Sequence, residues 1–207
     1  MSLTAQQLSS SLDAIAASEP AIAEAIRRAG YPEPRGQARG PATMMRAIVG
    51  QQVSVKAATS IWTRLEAACG GDMDAHGAVA ATPVEALRAS GLSGQKASYV
   101  HALAAALASG ALDFGALPGD DEAAIAALTA VKGIGRWSAE IYLLFAEGRS
   151  DIFPAGDLAV QIQLGKILGL AARPSEKRTR EIAEGWRPHR GALAVFLWHQ
   201  YNIDALG

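Results

Sequence analysis

Cysteine is nearly absent from this sequence: Cys69 is the single one in 207 residues. No disulfide can close within the chain. A cysteine-ligated zinc site or iron–sulfur cluster, which needs several thiolates, is excluded as well. Histidine is scarce too, and His76, His101, His189 and His199 are scattered without ligand spacing. Aromatics make up 6% of the residues, and no segment alternates polar and apolar side chains between hairpin turns. Strands are therefore not expected. No apolar run approaches the roughly 18 residues that span a bilayer. Residues 1–7 lack a basic region followed by an apolar stretch, so no secretory signal is expected and a cytosolic location follows.

An excess of charge of one sign is also missing. The formal net charge is −1, which argues against a general nucleic-acid footprint, because such surfaces are basic. Any positive charge offered to a polyanion has to be local. One basic stretch exists: Arg173, Lys177, Arg178, Arg180, Arg187 and Arg190, interleaved with Glu176, Glu181 and Glu184. Taken alone, it reads as a solvated helix face with charge pairs one turn apart.

What is present in quantity is alanine and helical periodicity. The pattern predicts an all-α protein of roughly ten helices, and the length allows one large domain or two small lobes. Residues 9–28 read as two helices broken before Pro20. The stretch 30–41 is a loop rich in Gly and Pro. Thr43 is expected to cap a long helix that breaks at Gly50, followed by a second helix from about Ser54 to Ala68. Thr82-Pro83 starts another helix, with Pro83 at its first position. Helices are also expected over 98–109, 120–131, 137–146, 158–168, 175–186 and 190–201. Residues 1–40 are taken as a helical segment and loop of the same domain as 41–207.

The sharpest local signal is Leu128-Thr-Ala-Val-Lys-Gly-Ile-Gly-Arg-Trp-Ser-Ala-Glu140. Two helical patterns meet at Gly133-Ile134-Gly135 with almost no room between them. Glycines at both positions allow a tight turn with positive φ and a close backbone approach. The second helix then opens with unpaired N–H groups, an anion site able to take a phosphate without side-chain charge. Lys132 and Arg136 flank it. An ordinary helical hairpin would need only a glycine C-cap, but Leu128, Val131, Ile134 and Ala139 add the apolar contacts of a DNA-binding hairpin. A fainter echo, Leu87 to Ala97 with Gly91 and Gly94, places Lys96 where it could hold a second phosphate.

Together, the stretch 128–139, the Gly-Asp of Phe153-Pro-Ala-Gly-Asp-Leu158 and Arg46-Ala-Ile-Val-Gly-Gln-Gln-Val-Ser-Val55 resemble the helix-hairpin-helix DNA glycosylase superfamily. The branch they resemble most is DNA-3-methyladenine glycosylase II, and the likeness covers roughly residues 40–202. It implies two helical lobes with an active-site cleft between them. It also implies excision of alkylated bases, flipped out of double-stranded DNA, during base excision repair. The protein would act at the bacterial nucleoid or in a eukaryotic nucleus, and it is expected to be monomeric.

The resemblance assigns roles residue by residue. Asp157 matches the catalytic carboxylate, although its position also suits an N-cap of the helix that follows. Trp137 stands where strand-nicking relatives carry a Schiff-base lysine, so hydrolysis without lyase activity is implied. Trp137 and Trp198 would stack on an electron-poor base, with Tyr142 as a further pocket residue. Gly133, Ile134, Gly135, Arg136 and Ser138 form the hairpin's DNA-binding set. Gln51 and Gln52 occupy the place of a wedge that fills the gap left by the flipped base, with Ser54 and Lys56 near the backbone. Arg190, after Trp186-Arg-Pro-His, would face DNA or pair with an acid inside its lobe. No cofactor is expected. A sodium or potassium ion on the carbonyls of Thr129, Val131 and Ile134 is the one candidate metal site. The competing reading is a non-catalytic DNA-binding module with the same hairpin.

Overall fold

The computed structural model describes residues 2–206, and among them helices are the regular structure and no strand forms. In chain order they are α1 (Ala5–Ala16), α2 (Pro20–Ala29), α3 (Pro41–Gly50), α4 (Val55–Ala68), α5 (His76–Ala81) and α6 (Val84–Ala89). There follow α7 (Gly94–Ala108), α8 (Asp121–Thr129), α9 (Arg136–Phe145), α10 (Leu158–Ile167), α11 (Glu176–Ala183) and α12 (Arg190–Leu206), with a 3-10 turn at Glu184–Trp186 before α12. The expectation of an all-α fold is met. The twelve described α-helices exceed the expected ten, mainly because short α5 has too few turns to show a periodicity.

The chain forms two compact units. One comprises residues 1–37 and 143–207, the other residues 38–142, so the border falls inside α9. In the first unit, α1 and α2 pack on each other and on α12, and α10 packs on α12. The reason is visible in the spacing: Leu8, Leu12 and Ile15 of α1 and Ile22, Ala25 and Ile26 of α2 make single buried stripes. Thr4 fixes where α1 begins, because its hydroxyl accepts the Gln7 N–H while the Gln7 side chain accepts the Thr4 N–H. Residues 192–197 of α12 are buried without interruption, as expected of a helix packed on several sides.

In the second unit, α7 is the central helix, and α3, α5 and α6 pack on it. Its Ala97, Val100, Leu103, Ala104 and Leu107 are buried. Met44, Met45, Ile48 and Val49 of α3 are buried likewise. Each large side chain sealed in this way is worth about 1.5–3 kcal/mol. Several expected starts shift: α1 begins at Ala5 and α7 at Gly94, ahead of the expected 9 and 98. Thr43 lies inside α3, which begins after Gly40, and its hydroxyl donates to the Ala38 carbonyl. Pro83 is the N-cap of α6 rather than its first residue. No helix among the described residues is long and apolar enough to cross a membrane.

Candidate active site

In the first unit the chain runs buried through Ile152, Phe153 and Ala155 and then turns, with the Asp157 N–H donating to the Pro154 carbonyl at 2.9 Å. The buried Gln161 amide ties the turn down from above, donating to the Ala155 carbonyl at 2.8 Å. Gly156 lies against Glu176; a Cβ there would sit 3.2 Å from the carboxylate. Asp157 is the N-cap of α10, and its Oδ1 accepts the Val160 N–H at 3.1 Å. The same oxygen accepts the indole N–H of Trp198 at 3.1 Å. The cap thus fixes the carboxylate from the chain itself, and α12 fixes it from across the unit. The two donors and the positive end of α10 make this a place built to hold negative charge. Trp198 is itself held by Phe145, with ring centroids 5.6 Å apart. Asp157 keeps partial exposure, so the structure offers a fixed acid that outside atoms can approach.

The glycine hairpin lies in the second unit. The Val131 N–H bonds to the Leu128 carbonyl and the Ile134 N–H to the Val131 carbonyl, at 3.2 and 3.1 Å, and α9 then begins at Arg136. Gly133 has φ of 97°, and a Cβ on it would lie 2.2 Å from the ring of Tyr99. Gly135 needs neither condition: its φ is not positive and a Cβ would meet nothing within 4 Å. Of the two glycines expected to allow the turn, Gly133 is the one that supplies the positive φ.

Beside the hairpin, α3 ends at Gly50 and the chain turns sharply. Gln52 takes φ of 54°, the one left-handed non-glycine residue described, at a cost of about 1–2 kcal/mol. The Gln51 amide reaches the Gly133 carbonyl at 3.4 Å. Ser54 caps α4 by accepting the Ala57 N–H, while Val55, 85% exposed, and Lys56 face solvent. A cavity of about 650 Å³ opens here, lined by Gln51, Gln52, Lys96, Tyr99, Gly133 and Gly135 among others.

Several expected contacts take another form. Lys96 does not present a free ammonium to a phosphate: its Nζ donates to the carbonyls of Val49 and Gln51, at 2.8 and 2.5 Å. Burial also lowers its pKa below the usual lysine value. Arg136 is bonded to Glu122 through both terminal nitrogens, at 2.9 and 2.5 Å, and to the buried Glu140 at 2.9 Å. The hydrogen bonds to Glu122 are the main cause of its raised pKa. It straps α8 to α9 instead of reaching outward. Arg190 is 6% exposed and grips Asp151 with two nitrogens, at 2.8 and 2.9 Å, and Glu184 at 2.6 Å. Of its two expected roles, pairing inside the lobe is the one realised. Tyr142 does not line an open pocket: it is 2% exposed, its hydroxyl accepts the Gly40 N–H, and its ring packs 4.8 Å from Phe114. Ser138 is buried as well. On the same helix Trp137 stays 46% exposed, which leaves part of its indole within reach of a planar partner.

The structure therefore gathers the site residues in two groups. Asp157 and Trp198, with Phe145, belong to the first unit; Gln51, Gln52, Lys96 and Gly133 to Gly135 belong to the second. Tyr99 and Phe145 carry no signal in the sequence, since each looks like an ordinary helical aromatic. No group of three or more His, Cys, Asp or Glu side chains among the described residues is placed to hold a metal ion.

Residues 45–188 match the family model described as HhH-GPD superfamily base excision DNA repair protein. The chain is 31% identical over 163 residues to DNA-3-methyladenine glycosylase 1 of Schizosaccharomyces pombe, covering 75% of this chain and 69% of that one. Its fold is similar to the crystal structure of DNA-3-methyladenine glycosidase from Bacillus halodurans, with TM-score 0.85 and 29% identity over 95% of this chain and 91% of the other. It is also similar to the S. pombe 3-methyladenine DNA glycosylase Mag1 in complex with abasic DNA, with TM-score 0.79 and 26% identity over 93% and 97% of the two chains.

Proposed function

We propose that this chain, which belongs to the HhH-GPD superfamily of base excision DNA repair proteins, excises 3-methyladenine-type alkylated bases from double-stranded DNA by hydrolysis and leaves the strand uncut. It is a DNA glycosylase, as its relatives are. The observation that carries the proposed mechanism is the double anchoring of Asp157 Oδ1 by the Val160 N–H and the Trp198 indole.

Breaking a deoxyribosyl N-glycosidic bond builds positive charge on the sugar. A carboxylate already fixed and partly dehydrated stabilises that charge without reorganising, and it can orient the attacking water. Sugar hydrolases usually carry a second carboxyl to protonate the leaving group. An alkylated purine is already cationic and departs without that help, so one aspartate suffices. Trp137 supplies an exposed indole face for the extruded, electron-poor base, and Trp198 supplies the donor that aims Asp157. The N–H groups at the start of α9 take a backbone phosphate. A monovalent cation on the Thr129, Val131 and Ile134 carbonyls would add positive charge there. The Val131 oxygen, which accepts the Ile134 N–H, keeps a second lone pair for it. A tryptophan at position 137 has no amine with which to form a Schiff base, which supports hydrolysis alone.

The test is base release from a panel of duplexes, each with one alkylated or deaminated purine. Asp157→Asn keeps a good N-cap, so its Tm and DNA affinity stay close to wild type while release falls by at least about 1,000-fold. Borohydride traps no adduct and the abasic strand remains intact. Release by the Asn variant at the wild-type rate would remove Asp157 from the chemistry, and no release by the wild-type protein would leave only a DNA-binding module.

A further inference from the structure

We propose that Lys96 is a positioning residue for base extrusion: its ammonium ties off the end of α3 and thereby sets the left-handed turn that presents Gln52. The inference rests on the glycosylase reading above, because it assigns the turn at 51–53 to the strand-opening step.

The last carbonyls of a helix have no intrahelical donor, and the dipole makes that end negative. At the end of α3 the Gln51 N–H still bonds back to Ile48, but the Val49 and Gln51 carbonyls are left to find partners beyond the helix. Lys96 provides them, reaching from α7 to both oxygens. Its own helix is fixed locally, since the Ser93 hydroxyl accepts the Lys96 N–H at 3.2 Å and so caps α7. An ammonium is well suited to this task, because one point charge with three donors can serve two carbonyls at once.

The consequence falls on Gln52. A glutamine with positive φ is disfavoured, and a free turn would relax toward ordinary backbone angles. With the Val49 and Gln51 carbonyls held, and the Gln51 amide on the Gly133 carbonyl, the backbone leading into φ(52) is fixed. Gln52 and Val53 stand exposed on the cavity rim. A rigid protrusion loses little freedom when it enters a base stack, whereas a loose one must be ordered first. Lys96 therefore acts on the opening of the duplex and not on the bond that is cut.

Opening and cutting can be separated by experiment. Lys96→Met keeps the apolar stem and removes the donors. With a lesion in a fully paired duplex, kcat/KM is expected to fall roughly tenfold or more. With the same lesion opposite an abasic gap, where extrusion is easier, the loss is expected to stay under about threefold. Lys96→Cys should show the same split, and aminoethylation of the new thiol, which rebuilds the ammonium, should restore the paired-duplex rate. Cys69 is buried and does not compete for the reagent. Equal losses on both duplexes, or no loss, would overturn the proposal. Hydrogen exchange on the DNA-free protein is a second, independent readout that needs no activity. The amides of 51–53 should exchange faster in Lys96→Met, and unchanged exchange would equally overturn it. Wild-type protein that releases no base at all would instead count against the glycosylase reading, leaving the exchange result to judge Lys96.

Discussion

At the scale of single residues, the proposed chemistry depends on how few freedoms Asp157 retains. A carboxylate on a free side chain would have to be oriented in each turnover; here two N–H groups meet one of its oxygens. One donor is a peptide N–H of its own helix, which ordinary side-chain substitutions leave in place. The other is the indole of Trp198. Trp198→Phe keeps an aromatic ring against Phe145 and deletes that donor, a charge-assisted bond worth about 1.5–3 kcal/mol. The expected result is a kcat lower by roughly ten- to a hundredfold, with KM nearly unchanged. Single-turnover release with saturating enzyme measures it, and an unaltered kcat would remove Trp198 from the positioning of Asp157. The aspartate was legible in the sequence because an acid before an apolar helix already reads as a cap. Its partner was not, since 41 positions separate the two and nothing in either segment announces the bond. Separation along the chain also hid the partners of the arginines. Arg190 and Arg136 look available for phosphates until Asp151, 39 positions away, and Glu122, 14 positions away, prove to hold them.

Among the elements, the hairpin shows what spacing can and cannot tell. Two glycines two apart between helices correctly indicate a tight turn, and the stretch 128–139 suffices to place α8, the turn and α9. Which glycine is indispensable depends on a third helix. Tyr99 of α7 lies over Gly133 and leaves no room for a methyl, while Gly135 faces open space. The pair should therefore behave unequally. Gly133→Ala combines a forbidden φ with a clash and is expected to cost more than about 2 kcal/mol. Gly135→Ala, just before α9, should cost about 1 kcal/mol or less. Tyr99→Ala in the Gly133→Ala background should return part of the loss, because space is relieved and φ is not. Urea unfolding of these variants beside the wild type decides the matter, and equal costs at the two glycines would mean that Tyr99 does not constrain the turn. Short elements are the least legible. Six-residue α5 offers no full amphipathic cycle, and Thr43 resembled a cap because hydroxyl residues at helix starts usually are one. Gly40 and Pro41 had already begun α3.

On the whole-molecule scale, a net charge of −1 has to be reconciled with a polyanionic substrate. Most basic side chains of the apparent patch in 173–190 are already paired with acids of the same unit: Arg178 with Glu181, Arg180 with Glu176, and Arg187 and Arg190 with Asp151 and Glu184. Arg136 is likewise neutralised at the hairpin. The proposed reading then has phosphates met in large part by backbone N–H groups and helix ends, which bind them with fewer cationic side chains. Salt dependence distinguishes the two modes, because each phosphate neutralised by Lys or Arg releases condensed counterions. For a protein with about three such contacts, log K against log salt should fall with a slope near about −3. Fluorescence anisotropy with an abasic duplex between roughly 50 and 200 mM salt covers the informative range. Arg136→Ala should leave that slope unchanged and lower Tm, since it breaks the strap between α8 and α9. A slope of about −6 or steeper, or one that flattens on losing Arg136, would show that the ion pairs open on DNA and that side-chain charge drives binding.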